Sequence, residues 1–444
     1  MDMTYISTRG GGQPISFRQA VMTGLADDGG LLVPDHYPDA SDRLDTWRSL
    51  SYTQLAFEVM LPFVDLPPED LRELIARSYD SFREPDVAPV RPLGEDFLLE
   101  LFHGPTLAFK DVALQFLGNL FSYILAQGDR ELNILAATSG DTGSAAIYGV
   151  RGRERIRIFV MHPRGRVSPL QERQMTSVLD ENVFNLAVAG TFDDCQAIMK
   201  DLFGDVPFKN AHALGSVNSV NWARVLAQVV YYFYAYFRLR DRTGAESVQF
   251  AVPTGNFGDI LAGYVAARMG CPVKKLILCT NRNDILTRFF ARGDYSVRRV
   301  EPTLSPSMDI QVASNFERYL FERFDRDSDR LRAAMQAFRE HGELRVEPAD
   351  GVVDPLFAAG AAGRQDTLDT IRSVYERDNV LLDPHTAVGV CVGRRQRSEG
   401  VPLVCLATAH PAKFPDAIRE ATGEEPHHEI LDALAEAPTR SDEL

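Results

Sequence analysis

One lysine in this chain stands where amine chemistry could run. Lys110 lies in the stretch His103-Gly104-Pro105-Thr106-Leu107-Ala108-Phe109-Lys110-Asp111. The chain prefers arginine: of 47 basic residues only six are lysine, at positions 110, 200, 209, 274, 275 and 413. Arginine cannot give up its proton, whereas a desolvated lysine can, and can then form a Schiff base. An apolar helical face of Ala113, Leu114, Phe116, Leu117, Leu120, Phe121 and Ile124 follows Lys110. That spacing predicts a helix N-terminus at the core's edge, where the helix dipole and apolar neighbours both disfavour an ammonium. The alternative is a snorkelling surface lysine at a helix start.

Two loops could receive anions. Ala137-Thr138-Ser139-Gly140-Asp141-Thr142-Gly143-Ser144 and Pro253-Thr254-Gly255-Asn256-Phe257-Gly258-Asp259 each follow an apolar run and precede a helical pattern. Small residues there let successive backbone N–H groups approach an anion at a helix start. Neither loop is a P-loop or a dinucleotide fingerprint, and each could be a plain tight turn. Two such loops beside an isolated lysine favour a phosphorylated ligand.

Asn218-Ser219-Val220-Asn221-Trp222-Ala223-Arg224 opens an aromatic-rich helical pattern in which Arg224 is the only lysine or arginine between Lys209 and Arg238. Arg224 either pairs with a carboxylate or clamps a phosphate. The aromatic run 231–237 reads as core. Leu406-Ala407-Thr408-Ala409-His410-Pro411-Ala412-Lys413 follows another apolar run, and His410 alone suits a structural role. No hydrolase, zincin or kinase signature occurs.

These segments need elements to position them. Apolar runs at 132–137, 156–161, 183–188, 248–252, 275–279 and 401–407 read as strands. Helical patterns at 111–127, 142–149, 169–179, 193–203, 220–239 and 258–269 separate most of them. The alternation predicts an α/β fold with parallel sheets, whose ligands bind in strand-to-helix loops. Residues 1–95 are rich in turn residues and acid, and Pro85, Pro89 and Pro92 read as a boundary.

At 444 residues the chain suggests two or three domains. Its net charge of −15 argues against nucleic acid or anionic membranes as partners and requires a local positive field wherever an anion binds. Five scattered cysteines, none in a C-x-x-C pair, argue against structural zinc and a disulfide framework and fit a reducing cytoplasm. No apolar run is long enough to span a membrane, and the residues after Met1 lack a signal-peptide core. The terminal Ser441-Asp442-Glu443-Leu444 reads as a frayed acidic end.

Taken together, the segments resemble the threonine synthase family, in its long microbial and fungal form, among fold-type II (tryptophan-synthase β-like) pyridoxal-phosphate enzymes. The resemblance rests on Tyr5 to Gly10, Gly24 to Leu31, His103 to Asp111, Ser139 to Gly143, Asn218 to Arg224, Gly255 to Asp259, Asp383 to Gly389 and Thr408 to Phe414. It implies two open twisted, mostly parallel sheets with flanking helices plus an N-terminal domain. The domains would be 1–95; 96–225, smaller and carrying the Schiff-base lysine; and 226–444, larger, with parts of 96–130 able to pack against it.

The resemblance further implies a carbon–oxygen lyase acting on phosphate, using pyridoxal 5′-phosphate and no metal. It would convert O-phospho-L-homoserine and water to L-threonine and phosphate, the last step of threonine biosynthesis. Lys110 would hold the cofactor and move protons; Gly255, Asn256, Phe257 and Gly258 would cradle its phosphate; Thr408 would face its pyridine nitrogen. Ser139, Gly140, Asp141 and Thr142 would receive the substrate carboxylate, and Ser219, Asn221 and Arg224 its phosphate. Asp141 departs from the asparagine of the shorter plant-like form, and a second carboxylate there needs a proton or a cation; it could instead cap the next helix. Phosphate would leave by γ-elimination and water would add at Cβ. The implied partner is this small molecule alone, on a cytoplasmic monomer or homodimer. Alternatives are a related fold-type II lyase or dehydratase, a phospho-lyase on the same substrate, and a non-catalytic phosphate-metabolite binder.

Overall fold

Two parallel sheets grow from the apolar runs. Val248–Pro253 and Leu403–Ala407 are buried at every position, as strands covered by helices on both faces must be. They lie inside a six-stranded sheet of spatial order Phe357–Ala361, Val273–Thr280, Val248–Pro253, Leu403–Ala407, Asp96–Glu100, Val90–Leu93, parallel except for the last pair. A second sheet has five parallel strands in the order Asp442–Glu443, Val183–Val188, Ile156–Pro163, Leu132–Ala137, Leu214–Gly215. The computed structural model describes residues 3–138, 140–349 and 351–444. Among these, no helix is long and apolar enough to cross a membrane.

Each apolar run read as a strand lies in one, apart from Val401 and Pro402, which precede theirs. The domain limits move. Val90–Leu93 and Asp96–Glu100 form a hairpin at the edge of the six-stranded sheet, so the expected boundary at 95 falls inside it. Pro92 belongs to this edge strand, where a missing N–H is tolerated, and does not mark a boundary. The expected limit at 225/226 falls inside the unbroken helix Trp222–Thr243. The acidic terminus is not frayed: Asp442 and Glu443 pair with Leu186 and Ala187, which adds the end of the larger region to the smaller sheet.

Helix Lys110–Ala126 lies backbone to backbone on helix Asp141–Val150. A Cβ on Gly118 would come within 1.9 Å of the Gly149 carbonyl oxygen, so only glycine permits the approach. Both helices begin at site residues, so this crossing sets how far apart Lys110 and Asp141 stand. Helix Trp222–Thr243 starts from the Asn221 cap, ends at Gly244 in the left-handed conformation, and buries Tyr231 to Phe237 as core.

The N-terminal region is tied to this frame by named contacts. Arg9 grips Glu317 through two nitrogens, and the Thr8 hydroxyl donates to the same carboxylate at 2.7 Å. The buried Arg318 guanidinium donates to the carbonyls of Leu32 and Val220. Helices Tyr52–Met60 and Pro68–Tyr79 pack on Trp222–Thr243 and Lys110–Ala126 respectively.

Candidate active site

The loops singled out in the sequence all leave the carboxyl ends of parallel strands, where an open α/β sheet leaves its crevice. Two of them are zipped together. The Phe109 amide donates to the Thr408 carbonyl at 2.8 Å and the His410 amide to the Leu107 carbonyl at 3.0 Å, with Leu107 held at φ 62°. This bridge puts Lys110 beside Thr408. The same segment is braced from within, because the Asp111 carboxylate accepts from the Thr106 amide and hydroxyl, both at 2.7 Å.

Lys110 is the first residue of its helix and 8% exposed, so it does not snorkel. Burial lowers its pKa to about 8; Asp141 opposes the shift, while Lys413 and Arg224 add to it. Asp141 lies 3.9 Å from the Lys110 Nζ and 2.9 Å from the Lys413 Nζ. Burial pushes the Asp141 pKa up, but Lys413, Lys110 and His385 more than offset it, and the group is held well below the usual carboxylate range. The cation that this carboxylate needed is therefore present. Asp141 is not the helix cap: Gly140 occupies that position, at φ 150°, where a Cβ would also strike the Gln171 side chain. The amides of Asp141 and Thr142 find no acceptor among the described residues, and Ser139 lies outside those residues.

The second loop offers an anion cradle. Among the described residues, none of the four successive amides of Gly255, Asn256, Phe257 and Gly258 has a protein acceptor, and they open helix Gly258–Arg268. A Cβ on Gly255 would meet the Ser307 carbonyl at 2.7 Å. Phe257 contributes backbone only, since its ring stacks in the core near Phe290 and Phe316.

Arg224 is 5% exposed, donates from Nη1 to the Val217 carbonyl at 2.9 Å, and has no carboxylate partner among the described residues. Its Nε is buried without a partner, and burial lowers its pKa to about 10. The ion-pair reading of Arg224 therefore falls, and a free guanidinium edge remains. Nearby, the Ser219 hydroxyl bonds that of Ser314 at 2.9 Å, and Asn315 links the Ser219 and Asn256 carbonyls. Asn221 differs from expectation. Its oxygen caps the Ala223 amide and its nitrogen donates to Val21 O at 2.8 Å, so both ends of the buried amide already hold the helix start.

Family models match along most of this chain: "Threonine synthase N terminus" over residues 4–79, "Pyridoxal-phosphate dependent enzyme" over 91–353 and "Threonine synthase, C-terminal" over 386–444. Threonine synthase of Pseudomonas aeruginosa is 48% identical, covering 94% of this chain and 90% of its own. That of Schizosaccharomyces pombe is 45% identical over 94% of this chain and 89% of its own. The chain belongs to the threonine synthase family. The crystal structure of the PLP-bound threonine synthase from Brucella melitensis superposes with a TM-score of 0.95 at 46% identity, covering all of this chain (100%) and 96% of that one. The fold is fold-type II, as the sequence resemblance implied.

Several residues that face this threonine synthase-family site carried no assigned task in the sequence. Lys413 is 2% exposed and donates to the Thr106 carbonyl at 2.8 Å as well as to Asp141. Gln171 donates to Asp141 Oδ1 at 2.9 Å, and the Ser307 hydroxyl to Oδ2 at 3.4 Å. Asp383 accepts from the Thr386 hydroxyl, whose oxygen in turn receives the Thr408 amide at 3.1 Å, so it orients Thr408 at one remove. His385 holds its Nδ1 2.8 Å from Asp383 and accepts the Ser307 amide on Nε2. The one available signal for Lys413 was its rarity among arginines.

Proposed function

We propose that this chain is a threonine synthase, converting O-phospho-L-homoserine and water to L-threonine and phosphate with pyridoxal 5′-phosphate as cofactor. The observation that carries the reading is a pair of separate anion sites flanking one buried lysine. The Gly255–Gly258 amides form one, and the unpaired edge of Arg224 the other. A dehydratase acting on an unphosphorylated amino acid has a use for the first and none for the second.

The residues present fit the cofactor: an amine with a lowered pKa, a four-amide cradle at a helix start, and a hydroxyl residue at 408 rather than a carboxylate. Lys110 would hold it, Gly255, Asn256, Phe257 and Gly258 would bind its phosphate, and Thr408 would meet its ring nitrogen. When bound, the group supplies an electron sink that acidifies C–H bonds near the substrate's amino-bearing carbon.

The chain's own groups do the rest. Ser139, Gly140, Asp141 and Thr142 would receive the substrate carboxylate, with the amides of Asp141 and Thr142 having no acceptor among the described residues. Arg224 would clamp the substrate phosphate, with the Ser219 hydroxyl beside it, while Asn221 fixes the helix start that presents Arg224. With a pKa of about 8, Lys110 can both take and return protons near neutral pH, at Cα first and at neighbouring carbons in turn. Arg224 then stabilises the departing phosphate, and water adds at Cβ. We place the protein in the cytoplasm as a monomer or homodimer without nucleic-acid partners; its five buried, unpaired cysteines support the compartment, and its net charge of −15 the lack of nucleic-acid partners.

The test is product analysis of the purified, cofactor-loaded protein with O-phospho-L-homoserine. Threonine and phosphate in equal amounts are expected. Formation of 2-oxobutyrate in place of threonine, or turnover only with serine, threonine or O-acetylserine, would overturn the reading.

A further inference from the structure

Asp141 divides its two oxygens between two lysines. Oδ1 faces the Lys413 ammonium at 2.9 Å and the Gln171 amide at 2.9 Å; Oδ2 faces Lys110 at 3.9 Å and the Ser307 hydroxyl at 3.4 Å. The five residues come from five elements: helix Asp141–Val150, the 3-10 turn Pro411–Lys413, helix Pro169–Thr176, helix Lys110–Ala126 and the 3-10 turn Pro306–Met308. The Asp141 and Lys413 side chains are 4% and 1% exposed. A carboxylate so buried is strongly disfavoured unless paired and hydrogen-bonded, and so is a buried ammonium. Lys413 therefore depends on Asp141, while Asp141 has two cations to balance it, Lys413 and Lys110.

We propose that Lys413 is a positioning residue of this site: it shares the Asp141 carboxylate with Lys110, and so limits how Asp141 orients the Lys110 nitrogen and how tightly that nitrogen holds its proton. The inference rests on the reading of Lys110 as the cofactor-bearing proton carrier. Its geometry explains why a second carboxylate is tolerated where a substrate carboxylate must also bind, because Lys413 has already balanced it. It also explains why position 413 is lysine in an arginine-rich chain. A compact ammonium satisfies Asp141 and the Thr106 carbonyl together, and the latter belongs to the loop that Asp111 braces below Lys110.

The charged groups that act on Lys110 are Asp141 and Asp111, which raise its proton affinity, and Lys413 and Arg224, which lower it. His385 also acts on Asp141 and lowers its proton affinity. Removing Lys413 takes away a positive neighbour and leaves Asp141 to Lys110 alone, so the Lys110 nitrogen holds its proton more tightly. Removing the charge of Asp141 does the reverse. A merely structural pair gives no such opposition of sign.

The experiment is a visible-absorbance pH titration of the cofactor-loaded chain, which reports the proton on the nitrogen joining Lys110 to the cofactor. Relative to wild type, Lys413→Met is expected to raise the midpoint by about one pH unit or more and Asp141→Asn to lower it by a similar amount. Lys413→Arg, which keeps the charge but not the compact fit, should move the midpoint less than Lys413→Met does. Asp141→Asn is nearly isosteric and keeps the test standing if Lys413→Met does not fold. Midpoints that stay at the wild-type value, or that move in the same direction in both variants, would overturn the inference while leaving the proposed activity intact. A wild-type chain without Lys110-dependent visible absorbance would overturn both.

Discussion

At the scale of single residues, what separates this site from a generic cofactor pocket is an unpaired buried arginine. A charge-assisted contact to phosphate is worth about 1.5–3 kcal/mol. Arg224→Ala should therefore lower kcat/KM for O-phosphohomoserine roughly 10- to 150-fold with cofactor loading unchanged, as steady-state kinetics and the visible spectrum would show. Loss of cofactor in that variant would move Arg224 to the cofactor phosphate. Lys110 was legible because its type was rare and its helix began at once. Lys413 was equally rare, but its partner Asp141 lies in a different loop on a different sheet, and no local pattern encodes a contact of that range.

The elements hold these residues through close approaches that side-chain identity alone decides. Gly118→Ala would drive a methyl into the Gly149 carbonyl and push the Lys110 helix off the Asp141 helix. Overpacking of this kind typically destabilises by about 1–3 kcal/mol, read as a lower urea midpoint. The weakened Lys110–Asp141 contact should lower kcat as well.

Under the phosphate loop, burial pushes the Asp259 carboxyl up to about 6 against the donors Tyr231 and Tyr232. The folded state thus binds that proton more tightly than the unfolded one, whose value is near 3.8. The stability this supplies is present below about pH 3.8 and lost as pH rises through about 6. Asp259→Asn should therefore gain stability relative to wild type between pH 4 and 7, by at most about 3 kcal/mol in urea unfolding.

Helices and central strands were legible at this scale because buried parallel strands are continuous apolar runs and helices show their period. Val90–Leu93 was not, since Pro92 signals a break everywhere except at a sheet edge. Phe357–Ala361 is short and small-residued, and so leaves no pattern either.

Across the whole molecule, the N-terminal region acts as a brace. Arg9 and Thr8 hold Glu317, and Arg318 next to it ties Leu32 to Val220, within the segment that leads into Arg224. Glu317 is buried and Arg9 half-buried, so Glu317→Ala leaves Arg9 and the buried Thr8 hydroxyl without their acceptor and should destabilise by about 1–3 kcal/mol. The expected readout is a lower thermal midpoint together with a raised KM for the substrate. Such contacts between distant segments, like the pairing of the last residues with Val183–Val188, follow from topology and were invisible in the sequence. The most direct measurement of the central claim compares wild type with Lys110→Ala, both incubated with pyridoxal phosphate and O-phosphohomoserine. Wild type should be yellow and release threonine and phosphate together, and the variant should do neither. Turnover or Lys-type visible absorbance retained by the variant would contradict it.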